Sequence, residues 1–375
     1  MEGLQRSTVF MKTDSLYIHI PFCDHICSYC DFAKVFYKED LADQYLRRLQ
    51  KELAQIPRHP MKTIYIGGGT PSALTYEQLE YLLKRVERFI GKQTKEFTVE
   101  VNPESATLDK LKLLKQYHVN RLSIGVQTFQ DHLLHFIGRK HYSYQAIEVI
   151  DNAYKLGFEN ISIDMMYGLP MQQEEDLMHD LERILELPIN HISYYALILE
   201  EGTILHYKHY HPLDNEIDKR WNDIIDDRLN KMGFHKYEVS NYAKGTHESL
   251  HNKAYWHYDN YIGVGIGATS KIDDKLINHS RNMKKYLNGE NIEEKEIQTS
   301  EDTMFNHLMM SLRLVEGLDL EDFYQRYQKH VEDVFGYPLQ KHLNEGDLVI
   351  VEHHLRTTPE SMAYLNDILV DFLPE

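Results

Sequence analysis

The stretch Leu16-Tyr17-Ile18-His19-Ile20-Pro21-Phe22-Cys23-Asp24-His25-Ile26-Cys27-Ser28-Tyr29-Cys30 passes from an apolar segment straight into three cysteines spaced C-x-x-x-C-x-x-C. They are the only cysteines among 375 residues. Three thiolates on one short loop can hold three irons of a cubane [4Fe-4S] cluster and leave the fourth iron open to a ligand that is not protein. The same count excludes a disulfide framework and leaves no fourth thiolate to close a structural zinc site. A Cys3His zinc site using His19 or His25 is the competing reading.

Outward from the cysteines, short β-rich runs alternate with longer amphipathic ones. Strands are expected at 16–20, 63–66, 96–101, 121–126, 160–166 and 191–197, with helical patterns between them. Each repeat is roughly thirty residues, the size of a βα unit, so the pattern predicts a parallel sheet with right-handed crossovers. Six such strands make an α/β fold of the incomplete-barrel kind.

Parallel barrels carry function on the loops that leave the strands' C-terminal ends, and nearly every strand here is followed by a candidate. The first leads into the cysteine loop. The second leads into Gly67-Gly68-Gly69-Thr70-Pro71, where missing side chains let backbone amides approach a ligand. The third holds Glu100 before Asn102-Pro103, the fourth yields Gln127 with Arg139 twelve residues on, and the fifth carries Asp164 ahead of Gly168-Leu169-Pro170. Singly, a glycine triplet reads as a tight turn, a buried acid as the partner of a structural arginine, and Arg139 as surface. Jointly, five segments converge on one pocket. The two-residue period of a strand also puts Tyr17 and His19 on one face.

The balance of 58 acidic against 41 basic residues, a net charge of −17, leaves no basic excess to neutralise a nucleic-acid duplex. No apolar stretch approaches the length of a membrane span, and residues 1–14 are too short and polar for a signal peptide. Peripheral membrane contact stays open, as does the choice between monomer and homodimer. Unpaired thiols suit a reducing compartment, hence the cytoplasm.

The C-terminal third reads differently. A helix over 220–231 and a strand over 237–240 precede His251-Asn252-Lys253-Ala254-Tyr255-Trp256-His257-Tyr258. Its imidazoles and aromatic faces suit an axial iron ligand beside a flat macrocycle, or else a core aromatic cluster. Tyr261-Ile-Gly-Val-Gly-Ile-Gly267 has G-x-G-x-G spacing, not that of a dinucleotide loop, and is expected to be a tight packing turn. Helices over 304–313, 320–334 and after Pro359, with a strand pair within 346–356, give a small winged-helix-like domain at 300–375. A highly charged stretch from Asn288 separates it from a barrel domain at 1–290, whose cluster loop covers 22–36 and whose extension covers about 210–290. Without a basic recognition helix, a covering role is expected for the small domain. His353 and His354, as neighbours on a strand, would face opposite sides.

The cysteine stretch, with Tyr29 before the third cysteine, resembles the radical S-adenosylmethionine (SAM) superfamily and, within it, the oxygen-independent coproporphyrinogen III dehydrogenase group. That resemblance implies a (βα)6 partial barrel whose open side admits a large substrate, with SAM chelating the open iron and yielding a 5'-deoxyadenosyl radical on reduction. It implies SAM contacts at Tyr17, Gly68, Gly69, Thr70, Glu100, Gln127, Arg139, Asp164 and Ala196. Glu100 suits the cationic end or the ribose hydroxyls, the glycines the amino-acid moiety, and Arg139 a carboxylate of the cofactor or a porphyrin propionate.

Two departures separate branches of the group. The dehydrogenases carry a cysteine where Cys30-Asp31-Phe32 has Phe32, and their longer N-terminal substrate segment is expected to be lacking. Cys-Asp-Phe together with His251-Asn252-x-x-Tyr255-Trp256 instead resembles the haem-chaperone branch, in which this motif is associated with haem. The resemblance therefore implies a chaperone that binds haem, a [4Fe-4S] cluster and SAM and hands haem to acceptor proteins such as respiratory enzymes. The alternative is an oxidoreductase that decarboxylates two propionates of coproporphyrinogen III.

Overall fold

The structure is a computed structural model and describes residues 13–374. Residues 1–12, most of the segment read above as too polar for a signal peptide, lie outside the described residues. Six strands, β1 (Ser15–Ile20), β4 (Thr63–Gly68), β5 (Glu96–Val101), β6 (Arg121–Gln127), β7 (Asn160–Tyr167) and β8 (His191–Ala196), pair in that order, all parallel. Two-residue strands β2 (Phe22–Cys23) and β3 (Val35–Phe36) pair beside them. Leu16, Ile18 and Ile20 are fully buried, as are Ile64 and Ile66 opposite them, because the interior and the helix-covered exterior both exclude water.

The helices between strands bury one stripe each. Tyr76–Val86 is entered through a capping box in which Thr75 accepts from the Gln78 amide and Gln78 accepts from the Thr75 amide, and it buries Leu79, Leu82, Leu83 and Val86. Removing such a cap costs about 1 kcal/mol.

The sheet does not close. Beyond β8 it continues antiparallel through β10 (Asn241–Ala243) to β9 (His235–Lys236). On the other side β1 pairs in parallel with β11 (Tyr261–Val264), followed by antiparallel β12 (Thr269–Ile272), β13 (Lys275–His279) and β14 (Ile292–Ile297). The glycine-rich segment expected to be a turn thus begins as a seventh parallel strand. Its glycines do serve close packing, since a Cβ at Gly263 would lie 2.1 Å from the Thr269 carbonyl oxygen. The expected strand over 237–240 breaks instead into β9 and β10, with Glu238 bridging to Leu314. The charged stretch after Asn288 is no linker: β14 is the outermost strand of the large sheet, all six of its residues exposed. Charge on such an edge discourages pairing with another chain.

A separate apolar cluster gathers Leu308, Leu312, Phe323, Leu339, Leu348 and Ile368 in the C-terminal unit. Here the helix expected over 320–334 divides into Leu320–Tyr327 and Val331–Glu345, because Gln328 adopts a left-handed conformation at φ +54°. Strands β15 (Leu318–Asp319), β16 (Leu348–Val351) and β17 (His354–Thr357) form the wing. Glu352 and His353 take positive φ in the turn, so His353 is not on a strand as expected. Among the described residues, no helix is long and apolar enough to cross a membrane.

Candidate cluster and cofactor site

Pro21 and Cys23 accept backbone hydrogen bonds from Val35 and Tyr37, at 2.8 and 2.9 Å, which closes the cysteine loop on itself. Ser28 ties the loop's outer turn to the Ile137 carbonyl, and Leu205 donates to the Ser28 carbonyl. All three thiols are free. Burial raises the Cys23 thiol to about 11, partly offset by the Thr70 hydroxyl, and raises that of Cys30 against the pull of Lys34. Such thiols ionise only when a cation or metal takes the proton's place. Three metal-ready sulfurs on one loop, with no fourth, fit a cluster with one open iron.

His19 fastens that loop to β1. Its Nε2 donates to the Ala33 carbonyl at 2.7 Å, so its Nδ1 accepts from the Tyr17 hydroxyl at 2.9 Å. Burial lowers its pKa to about 4, leaving the ring neutral at physiological pH. The shared face expected for Tyr17 and His19 is therefore a hydrogen bond.

The glycine triplet packs rather than cradles. The Gly68 amide donates to Glu100 Oε2 at 2.9 Å and the Gly69 amide to the Ile20 carbonyl at 2.8 Å, so neither is free for a ligand. A Cβ at Gly68, where φ is +113°, would lie 2.3 Å from the His19 ring, and one at Gly69 2.7 Å from the Pro21 carbonyl carbon. Only glycine lets β4 end this close to the cysteine strand.

Glu100 receives the Gly68 amide and the Tyr65 hydroxyl, the latter at 2.7 Å, but no cation lies within 4 Å of it among the described residues. Burial raises its pKa to about 7, against these two hydrogen bonds and with help from Asp164. Asp164 is likewise raised by burial and accepts from Ser123 at 3.1 Å. Arg121 favours the charged form of both acids, and Arg139 that of Asp164, but burial outweighs them, so this pair suits a ligand that brings positive charge of its own.

Gln127 ends β6 after a bulge, at φ +70°, and Arg139 is buried beside it. A Cβ on Gly125 would lie 3.1 Å from both the Gln127 Nε2 and the Arg139 Nη2. Burial opposes the charge on Arg139, but Tyr29, Cys27 and Glu104 outweigh it and hold the guanidinium protonated. Thr70 donates to Cys23 Sγ at 3.6 Å, and Ala196 closes β8 opposite Tyr167. Sequence reasoning passed over Tyr65 and Asn102, which join these groups. Tyr65 was legible as the residue two before Gly67, on the same strand face.

The His251 motif does not join this site. It forms a helix, Leu250–Trp256, at the opposite end of the barrel, where the strands begin. Glu96, first residue of β5, accepts from the amides of Leu250 and His251 at 2.9 and 3.1 Å and caps the helix N-terminus. His251 is 1% exposed. Its Nδ1 is bonded to Thr63 and its Nε2 to the Tyr255 hydroxyl, both at 2.8 Å, and burial lowers its pKa to about 3. With both nitrogens committed, His251 offers an iron no lone pair in this arrangement, which matches the core aromatic cluster, the second of the two readings expected of the motif. Asn252 donates its backbone amide to Ser249, while Trp256 lies under Arg313. The outer face of this helix lines a cavity of about 880 Å³, with Lys253, His257, Tyr258, Lys271, Arg326 and Tyr327 on its walls.

The model of the radical SAM superfamily matches residues 17–184, and that of the HemN C-terminal domain matches residues 298–364. Heme chaperone HemW of Bacillus subtilis is 35% identical over 378 residues, covering 96% of this chain and 99% of that protein. Heme chaperone HemW of Lactococcus lactis is 34% identical (97% and 98%), and that of Escherichia coli 32% identical (96% and 98%). This chain belongs to the HemW family. Membership in the radical SAM superfamily implies a [4Fe-4S] cluster and SAM, which the three thiols and the two buried acids fit. Coproporphyrinogen III oxidase (HemN) from Escherichia coli superposes with a TM-score of 0.86 at 22% identity, over 99% of this chain and 92% of that one, and shares the fold.

Proposed function

We propose that the protein is a haem chaperone of the reducing cytoplasm that binds haem, a [4Fe-4S] cluster and SAM and passes haem to acceptor proteins. The observation that carries this reading is full-length similarity, at 31–35% identity, to proteins named heme chaperone HemW. Cys23, Cys27 and Cys30 hold the cluster, and Tyr17, Gly68, Gly69, Thr70, Glu100, Gln127, Arg139, Asp164 and Ala196 shape the SAM site. When bound, the cluster supplies an electron to the sulfonium of SAM. Glu100 and Asp164 hold the cation, and the Gly68 amide holds the Glu100 carboxylate in place. Phe32, 62% exposed on the cluster loop where the oxidases carry a cysteine, speaks against oxidase chemistry.

Haem sits at the other end, against the helix of His251, Asn252, Tyr255 and Trp256. What supports that placement is the adjoining cavity, whose volume falls in the ordinary range of ligand sites and whose walls carry Tyr327 and the cations Lys62, Lys253, Lys271 and Arg326 among the acids Asp14, Asp259, Asp273 and Asp274. The C-terminal unit at 300–375 covers this end. Purified, reconstituted protein is offered haem and, separately, coproporphyrinogen III with SAM and a strong reductant. Stoichiometric haem uptake without formation of protoporphyrinogen is the expected result. Catalytic decarboxylation would replace the chaperone by an oxidoreductase.

A further inference from the structure

Arg139, Asn102 and Thr70 form a chain of hydrogen bonds with one consistent direction. A guanidinium cannot accept, so Arg139 Nη2 donates to Asn102 Oδ1 at 3.0 Å. That contact orients the amide, whose Nδ2 donates to Thr70 Oγ1 at 2.9 Å. With that lone pair taken, the Thr70 hydroxyl turns its proton towards Cys23 Sγ, 3.6 Å away. Arg139 Nη1 meanwhile faces Cys27 Sγ at 3.8 Å. One guanidinium therefore reaches two of the three cysteines, directly in one case and through two neutral groups in the other.

The chain is held from behind. Arg139 also donates to the Gly125 carbonyl at 2.6 Å and lies 4.0 Å from Glu104, and the Asn102 backbone N–H donates to Ser72 Oγ at 3.0 Å. Thr70, Arg139 and Cys23 are each at most 8% exposed, so water screens little of the charge and successive hydrogen bonds polarise one another. Donors aimed at cluster sulfurs withdraw electron density from the irons and favour the reduced state.

We propose that Asn102 and Thr70 are positioning residues that carry the Arg139 charge to Cys23 and, together with the Arg139–Cys27 contact, raise the reduction potential of the cluster. Reduction adds one electron to the cluster from an external reductant and breaks no bond. The inference rests on the reading of Cys23, Cys27 and Cys30 as cluster ligands.

An anaerobic redox titration, followed by electron paramagnetic resonance at matched iron and sulfide content, tests it on wild type, Asn102→Leu, Thr70→Val and Thr70→Ser. Asn102→Leu and Thr70→Val are each expected to lower the reduced-to-oxidised ratio about tenfold at a given solution potential, a shift of about 59 mV for one electron. Combining them adds little, because both cut one chain, and Thr70→Ser keeps the wild-type potential. Either isosteric variant with a wild-type potential would overturn the proposal, as would a Thr70→Ser shift equal to that of Thr70→Val. If Asn102→Leu takes up no cluster, the valine and serine variants decide alone: loss of the cluster from both marks a packing role and overturns the proposal, and loss from valine only supports the hydroxyl. Wild-type protein holding zinc without sulfide would instead defeat the cluster reading itself.

Discussion

The ring of Tyr65 is stacked on the imidazole of His251, centroids 5.1 Å apart, while its hydroxyl donates to Glu100 at the other end of the barrel interior. The proposed SAM and haem ends are thus separate in place but share one side chain. His251 in turn holds Thr63 and Tyr255, so the motif helix braces β4 from below while Glu100 and Gly68 fix its upper end. Continuous packed contacts of this kind allow an event at one end to be felt at the other.

With Glu100 in the proposed SAM site, SAM binding is expected to depend on pH. Its carboxyl titrates at about 7 in the folded protein, against about 4.3 for an unperturbed glutamate. SAM affinity is therefore expected to rise between pH 6 and pH 8 as the carboxylate forms, and Tyr65→Phe, which removes a hydrogen bond favouring that form, moves the rise to higher pH. Glu100→Gln should weaken binding by about 1.5–3 kcal/mol at pH 8. Stability moves the opposite way. Between the two pKa values the native state binds more protons than the unfolded one, so folding loses free energy as pH rises through that window. Glu100→Gln removes that cost and should stabilise the apoprotein at pH 8 by on the order of 1–2 kcal/mol, the half-buried residue leaving the carboxylate some solvent. Calorimetric titration and thermal unfolding check the two signs, and a less stable Glu100→Gln apoprotein would count against the burial argument.

Gly68→Ala is expected to disrupt the cluster loop from outside it. The new methyl would need both a left-handed backbone and the space of the His19 ring, which anchors the loop through Ala33. Strain and steric overlap together should cost about 3 kcal/mol or more. Iron and sulfide content after anaerobic reconstitution should fall sharply, whereas Gly157→Ala, strained at φ +80° but with open space around it and far from the loop in sequence, should reconstitute normally.

The barrel was legible because each parallel strand is short, apolar and followed by a polar loop, so β1 and β4 to β8 lie within a residue or two of their expected bounds. Strand β11 was hidden by Gly263 within it and Gly265 just after it, required here by backbone and Tyr45 crowding. Strand β14 was hidden by its charges, which mark an exposed edge as readily as a linker. In the site, Glu100 and Asp164 stood out as acids in apolar runs. The roles of the glycines did not, because amides spent on Glu100 and Ile20 read in sequence like amides waiting for a ligand. His251 left two readings open for a related reason: a histidine among aromatics reads the same whether its nitrogens are free or bonded.

Replacing any one of Cys23, Cys27 or Cys30 by serine should abolish a stable four-iron cluster, because no other cysteine exists to take its place. Iron and sulfide counting after reconstitution measures this. A serine variant that keeps four irons and four sulfides would mean that the open iron is not where the loop places it.

His251→Ala should act first on stability. It removes a stacked ring and leaves the buried hydroxyls of Thr63 and Tyr255 without their shared partner, a loss of about 2–4 kcal/mol by the usual cost of such buried groups. Urea unfolding should therefore shift to lower midpoints, and cluster content, which depends on the far end of the barrel, should hold. Haem binding is expected to weaken in proportion to the loosened helix while the Soret band of the bound form stays in place, because the ring nitrogens face Thr63 and Tyr255 rather than the cavity. A displaced Soret band at equal cluster loading would show the opposite: that His251 leaves both partners to meet the iron, and that haem capture pulls directly on the stack that leads to Glu100.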